Sequence, residues 1–440
     1  MSRRLVTLAA AFAATLTVAA CSETLDAGAG CPLLCAQVPI ELRDTVVDAI
    51  VVDSSLSGFP AIGFEDFPLL ANLGDTLETR VIIRFDTLFN TFRHPLSATV
   101  DSAVTRVNSA HLAVRLVFPI SDSTRTLTIR AYDVDTVLPP TSLADTMVAT
   151  LAPLFRPDRE LGSVTFIPSQ LTDSSLKGDS TVRIPIEASR LLAKVTGNDR
   201  LRVGLVIESS LPTAIRIVGA GAVNAVALRY RVTPDTSVAP IVVTPRSKTP
   251  TSESFTAAAL ADYQIVTRGY PLPTDGTLAV GGVPGTRTYL RFELPRRITD
   301  SSRVVRAALL LTQAPNPRSA NRGDTLIVLP DVVLASETIT NLRQAVQFSS
   351  RTFGVGGEPA SIPVLRLVPA DSGTQTIEMA ALIQAWSFSP ASEMPRALVL
   401  RAEYVGRVGG TVLFYSREAP ASVRPRLRLT YAPRLEFGLP

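Results

Sequence analysis

The chain has 440 residues, 46% of them hydrophobic and 19% charged, with a formal net charge of +4; that is apolar material for roughly two or three domains. Only two histidines and three cysteines are present, which excludes a zinc-finger array, a haem protein and a disulfide-dense scaffold and leaves little for histidine-based catalysis. The arginines alternate with acids and apolar residues and form no basic block, so no nucleic-acid partner is expected.

Residues 1–20 read as a secretory signal. Met1–Arg4 is short and basic, and Leu5–Ala20 is an uncharged run rich in Ala and Leu, short of the ~20 apolar residues of a spanning helix. It ends in Val18-Ala19-Ala20-Cys21, which resembles the lipobox of bacterial lipoproteins. The resemblance implies cleavage before Cys21 and a diacylglyceryl group on its thiol, hence a membrane partner reached through lipid. The alternative is an ordinary signal peptide with Cys21 incidental. Ser22, rather than Asp, follows the cysteine; by resemblance to enteric lipoprotein sorting this implies the outer membrane of the cell envelope. Residues 21–40 then form a tether. Within it, Cys31 and Cys35 are candidates for a local disulfide outside the cytoplasm, with free thiols or pairing to another chain as alternatives. No second cysteine pair or nearby histidine completes a metal site.

Beyond residue 40 the pattern has period two. Arg80–Phe85, Ala110–Leu116, Arg125–Arg130, Leu201–Ile207, Ala397–Arg401 and Thr411–Tyr415 are short β-rich runs, and in Arg426–Tyr431 arginines and leucines take opposite faces. That alternation predicts sheets with one face buried and one wet. The 33 prolines and 25 glycines punctuate the runs and argue against long helices. The expected class is all-β, two tandem antiparallel jelly-roll-like β-sandwiches with short helical insertions. Helical spacing is confined to Ile377–Trp386 and a turn around Leu342–Val346. Trp386, the one tryptophan, is expected to plug a sandwich end; a sugar-stacking platform is the sharper reading.

The two halves can be laid over each other. Thr79–Asp86 matches Thr286–Glu293, Ala110–Val114 matches Ala307–Leu311, and Thr126–Ile129 matches Thr325–Val328. Ile184–Ala193, Leu201–Glu208 and Ala225–Tyr230 match Ile377–Trp386, Ala397–Glu403 and Arg426–Tyr431 in the same order. The expected division is a first, degenerate sandwich over 41–232, a Pro-rich linker over 233–252 and a second sandwich over 253–434. Ile241–Thr244 is a strand that could dock on either.

The second copy carries Thr286–Pro295, Val304–Leu311, the Trp386 helix, Phe414–Ala419 with its Ser-Arg-Glu, and the closing Arg424–Tyr431. Over Ala259–Tyr431 this string resembles the DNRLRE-type β-sandwich domain of secreted proteins, similar to carbohydrate-binding modules. The resemblance implies a jelly-roll-like fold and a non-catalytic accessory or adhesive role. It brings no ligand-binding residue; Arg417 and Glu418 read as sheet-edge framework.

Chemistry is sparse. His94 sits in a loop beside Pro95 and His111 in mid-strand, Gly-x-Ser-x-Gly is absent, and Val280–Gly285 lacks the Lys-Ser/Thr of a phosphate loop. Asp133-Val-Asp-Thr136 lacks the glycine and distal glutamate of a calcium loop and reads as a solvated turn. No cofactor is therefore expected. The function expected is surface binding or adhesion by a lipid-anchored, non-catalytic envelope protein, with a polysaccharide or another envelope protein as partner. Tyr263, Tyr270, Tyr289, Tyr404 and Tyr415 are the candidate ligand-contact aromatics. The alternatives are a spacer or structural subunit of an envelope complex, and a carboxylate-dependent polysaccharide hydrolase.

Overall fold

The computed structural model describes residues 42–433 apart from 60–61, 64–65, 87, 94–100, 119, 121, 137–148, 172–179, 223–224, 233–237, 246–260, 270–275, 318–324, 336–340, 356, 389–393, 406 and 408. The signal, Cys21, Cys31, Cys35, His94 and Tyr270 lie outside the described residues. Among those described, no helix is long and apolar enough to cross a membrane.

The strands, in chain order, begin with β1 (Arg43–Val47) and β2 (Ile50–Phe59). Next come β3 (Ile62–Gly63), β4 (Leu69–Asn72), β5 (Glu78–Phe85), β6 (Thr91–Arg93), β7 (Asp101–Ala103), β8 (Val107–Val117) and β9 (Leu127–Asp133). They continue with β10 (Glu160–Phe166), β11 (Thr181–Ile186), β12 (Leu201–Glu208), β13 (Thr213–Ile217), β14 (Ala227–Val232), β15 (Ile241–Val243) and β16 (Asp262–Arg268). The last part holds β17 (Thr277–Gly281), β18 (Gly285–Phe292), β19 (Ser302–Ala314), β20 (Leu326–Val333), β21 (Ser349–Ser350), β22 (Thr352–Val355), β23 (Glu358–Ser361), β24 (Leu365–Leu367), β25 (Gly373–Glu378), β26 (Ala397–Ala402), β27 (Thr411–Tyr415) and β28 (Arg426–Pro433).

Apart from the two-stranded pairs β6–β7 and β22–β23, these strands make two sandwiches, each a 12-stranded antiparallel sheet rolled into two layers. In sandwich I one layer runs β10-β9-β12-β5-β16 and the other β4-β13-β8-β14-β15, with β11 on the far side of β8. In sandwich II the layers run β20-β26-β18-β2 and β17-β27-β19-β28-β1, with β25 on the far side of β19. With β24 beside β20 as β10 is beside β9, the two orders match; β21, which also pairs with β20, has no counterpart in sandwich I among the described residues. The long strands β8 and β19 can each serve three neighbours because one edge takes β11 or β25 and the other is divided lengthwise, between β14 and β13 on β8 and between β28 and β27 on β19.

Strand membership departs from the simple tandem division. β1 and β2 precede sandwich I in the chain yet pair with β28 and β18 of sandwich II. β15 and β16 pair with β14 and β5 of sandwich I. Sandwich I is thus a continuous segment, β3–β16, set between β2 and β17 of sandwich II. The expected linker 233–252 contains β15, which pairs with β14 of sandwich I, and the chain changes sandwich between β2 and β3 and between β16 and β17. Local periodicity shows which residues are strands; partner choice is set by non-local pairing, which periodicity does not encode.

The alternation itself fills the cores. In β28, Leu427, Leu429 and Tyr431 are buried while Arg428 is exposed. Leu309, Leu311, Val328, Leu398, Leu400, Val412 and Phe414 join Leu427 and Leu429 in one core, and Ile83, Phe85, Leu112, Val114, Ile129, Val203, Leu205 and Leu228 form its counterpart. Each sandwich has one short helix packed into it at the same point in the repeat. Ala188–Thr196 buries Leu191 and Val195; Ala380–Phe388 buries Leu382, Ile383, Ala385 and Trp386. The Trp386 ring is 1% exposed and lies 5.5 Å from the Phe292 ring, so it plugs the core and offers no platform. A further helix, Leu342–Gln347, starts at Asn341, whose side chain accepts from the Arg343 and Gln344 N–H groups.

Candidate functional site

The described tyrosine candidates do not share a face. Tyr263 is 3% exposed on β16 of sandwich I, too enclosed for its ring to meet a ligand. Tyr289, on β18, is buried. Tyr415 ends β27 half-buried, and Tyr404 is exposed, with Arg407 4.8 Å above its ring. Arg417 and Glu418 form an exposed ion pair of 3.0 Å just after β27.

Asp133 and Asp135 are engaged by cations of their own sandwich. Lys194 Nζ lies 3.5 Å from both carboxylates, Arg200 Nε donates to Asp135 at 2.8 Å, and Arg159 stands 3.8 Å from Asp133. Among the described residues no group of three metal-ligating side chains converges. His111 lies on the outer face of β8, where burial and then the charges of Arg183 and Arg229 hold its pKa below the ordinary value.

Among the described residues, a cleft of about 720 Å³ lies in sandwich II, at the C-terminal end of β18. That volume is in the range of small-ligand sites. Its floor is Tyr289, Ala335, Ala345 and Ala397, all buried. Its rim carries Arg291, Arg296 and Arg396 against Glu293 and Asp300. Arg291 reaches the rim because it alternates out from Leu290 and Phe292 on β18; Arg296 follows Pro295, which starts the short helix Arg296–Thr299. Arg396 directly precedes β26, and its Nε is buried with no hydrogen-bond partner among the described residues. Asp300 accepts from the Thr299 hydroxyl at 2.6 Å.

The equivalent corner of sandwich I is closed. Arg84 corresponds to Arg291, but it is 2% exposed and donates Nε and Nη2 to the two oxygens of Asp86 at 2.5 and 2.7 Å. Burial opposes its charge, yet the Asp86 carboxylate and the Tyr263 phenol raise its pKa above the ordinary value. Burial in turn raises the Tyr263 pKa, with Arg84 and Arg202 acting against that rise. Over the same sheet face, Phe155 lies on Gly204, where a Cβ would stand 2.5 Å from its ring; Val134, Leu151 and Tyr263 complete the cover over Ile82. One copy therefore pairs its arginine with its own carboxylate, and the other turns the matching arginine outward beside two more. The arginine was visible in the aligned Arg84-Phe-Asp86 and Arg291-Phe-Glu293, but its partners Arg296, at the start of a short helix, and Arg396, just before β26, lie in segments the alignment does not cover.

No family model matches the chain, and no curated protein does. Among solved structures, a chain of the infectious bursal disease virus VP2 subviral particle aligns with 90% of this chain and 77% of its own length at 7% identity, with a TM-score of 0.11. The infectious bursal disease virus Gt strain structure aligns with 92% of this chain and 79% of its own length at 11% identity, with a TM-score of 0.09.

Proposed function

We propose that this is a non-catalytic protein of the cell envelope, lipid-anchored through Cys21, that binds an acidic polysaccharide in the cleft of sandwich II. The carrying observation is the open cationic corner around Arg291, set against its closed counterpart around Arg84. Guanidinium groups offer forked donors to carboxylate, sulfate or phosphate, and Glu293, Asp300 and Thr299 offer acceptors to sugar hydroxyls. The lipobox at Val18–Cys21 and the resemblance of Ala259–Tyr431 to DNRLRE-type domains support the setting and the binding role.

The test is affinity electrophoresis and calorimetry against acidic and neutral polysaccharides. Binding is expected for acidic chains, weakening with salt, and falling about tenfold or more, ~1.4 kcal/mol, in Arg291→Ala with Arg396→Ala. Equal binding by wild type and this double variant would sink the assignment. A second reading, a carboxylate-dependent hydrolase, draws on Glu293 and Asp300 lining the same cleft. Chain shortening of the bound polysaccharide, lost in Glu293→Gln or Asp300→Asn, would establish it.

A further inference from the structure

We infer that β1–β2 and β15–β16 are the same element of the repeat, exchanged between the two copies, and that a second copy of this chain can make the same exchange by seating its β1–β2 on sandwich II.

The equivalence is positional. β1 extends the layer edge at β28 as β15 does at β14, and β2 flanks β18 as β16 flanks β5. Asp53 lies opposite Leu290, and Asp262 lies opposite Ile83, the residue that matches Leu290. Asp53 accepts from the Arg417 N–H just after β27 at 2.8 Å; Asp262 accepts from the Ala220 N–H just after β13 at 2.6 Å. Two residues on, Ser55 accepts from the Ala279 N–H of β17 at 2.7 Å, and Gln264 donates to the Leu69 carbonyl of β4 at 2.8 Å. In an unexchanged tandem array each pair would complete the copy that follows it. Here each completes the other copy, so every donor strand pair already crosses from one repeat unit to another.

The seat on sandwich II is built for a strand. Ala49 and Ile50 enter its core, and Phe59 is stacked by Arg287 and Arg343 at 4.3 and 5.1 Å. Arg343 also donates to the Ser57 and Gly58 carbonyls, both at 2.9 Å. Nothing in this set of contacts depends on which chain supplies residues 43–59. Donation in cis wins at low concentration because the tether gives a high effective concentration; refolding at high concentration lets a second chain compete.

The experiment uses full-length chains carrying two different affinity tags, unfolded together and refolded at low and high concentration. Mixed dimers that survive dilution are expected to form only on co-refolding and to increase with concentration. The control is a chain with Ser55→Cys and Thr288→Cys, its native cysteines changed to Ser; these hydroxyls face each other at 3.2 Å. Oxidised before unfolding, it keeps its β2 on its own β18 and should give no mixed dimers. Absence of mixed dimers at every concentration, or their persistence in the oxidised variant, would overturn the inference. So would failure of the two cysteines to join within the monomer.

Discussion

Arg84 and Arg291 occupy one position of the repeat in opposite environments, and substitution should separate structural from ligand-directed arginines. Asp86→Ala leaves the Arg84 guanidinium buried without its carboxylate, a loss expected to cost about 3–5 kcal/mol in denaturant unfolding. Arg291→Ala, at an exposed rim position, should change stability by less than about 0.5 kcal/mol. Trp386→Ala should cost about 3–5 kcal/mol through its cavity. Trp386→Phe should cost much less, because the indole N–H has no hydrogen-bond partner to lose. His111 adds a pH test. Its pKa is held below 6.5 in the folded chain, so the unfolded chain binds more protons and stability falls as pH drops through that range. His111→Asn should flatten this part of the stability profile.

Most strands and the helices at Leu342–Gln347 and Ala380–Phe388 were legible in the sequence because alternation and 3.6-residue spacing are local signals; Ala188–Thr196 was reachable only through the match of Ile184–Ala193 to the Trp386 helix. Ala397–Arg401 and Thr411–Tyr415 fall within or on observed strands, and the Trp386 helix was visible in Met379, Leu382, Ile383 and Trp386. The cleft was only partly legible: Tyr289 and Arg291 stand in a readable strand, whereas Arg296 and Arg396 reach the rim from strand-flanking segments. β2 was hidden altogether, since Asp53-Ser-Ser-Leu-Ser-Gly58 looks like a polar turn. Its Asp53 and Ser55 side chains accept hydrogen bonds from sandwich II, and Arg343 donates to the Ser57 and Gly58 carbonyls. Asp53 illustrates the cost: burial raises its pKa, while the Arg417 N–H works in the other direction. Asp53→Asn keeps an acceptor for that N–H and removes the buried charge, so stability at neutral pH should be unchanged or higher. Asp53→Ala should lose about 1–3 kcal/mol by orphaning the N–H. Arg343→Ala should loosen the end of β2 specifically, read as faster amide exchange at residues 52–59 than elsewhere in sandwich II.

At the scale of the molecule, Arg43–Pro440 behaves as one compact unit even though it contains two sandwiches, because the connections interlock them. Val283 of sandwich II shares a cluster with Leu69, Ala71 and Leu77 of sandwich I, and Arg407 lies 4.7 Å above the Phe67 ring. Cutting the chain between β15 and β16 therefore should not release two particles on gel filtration, since β1–β2 still holds the amino-terminal piece to sandwich II.

Arg43 sits directly across from Tyr431 on neighbouring strands. The body thus begins and finishes at a common corner, and sandwich I is a cassette spliced into a host. Because Ala279 sits beside Ser55 and Phe59 beside Gly285, a glycine bridge from Phe59 to Thr277 that is long enough to run back along β2 should delete the cassette and leave a host that folds, and residues 62–268 should fold as a module. A chain trimmed instead at the proline-rich stretch would strand each half without its finishing pair.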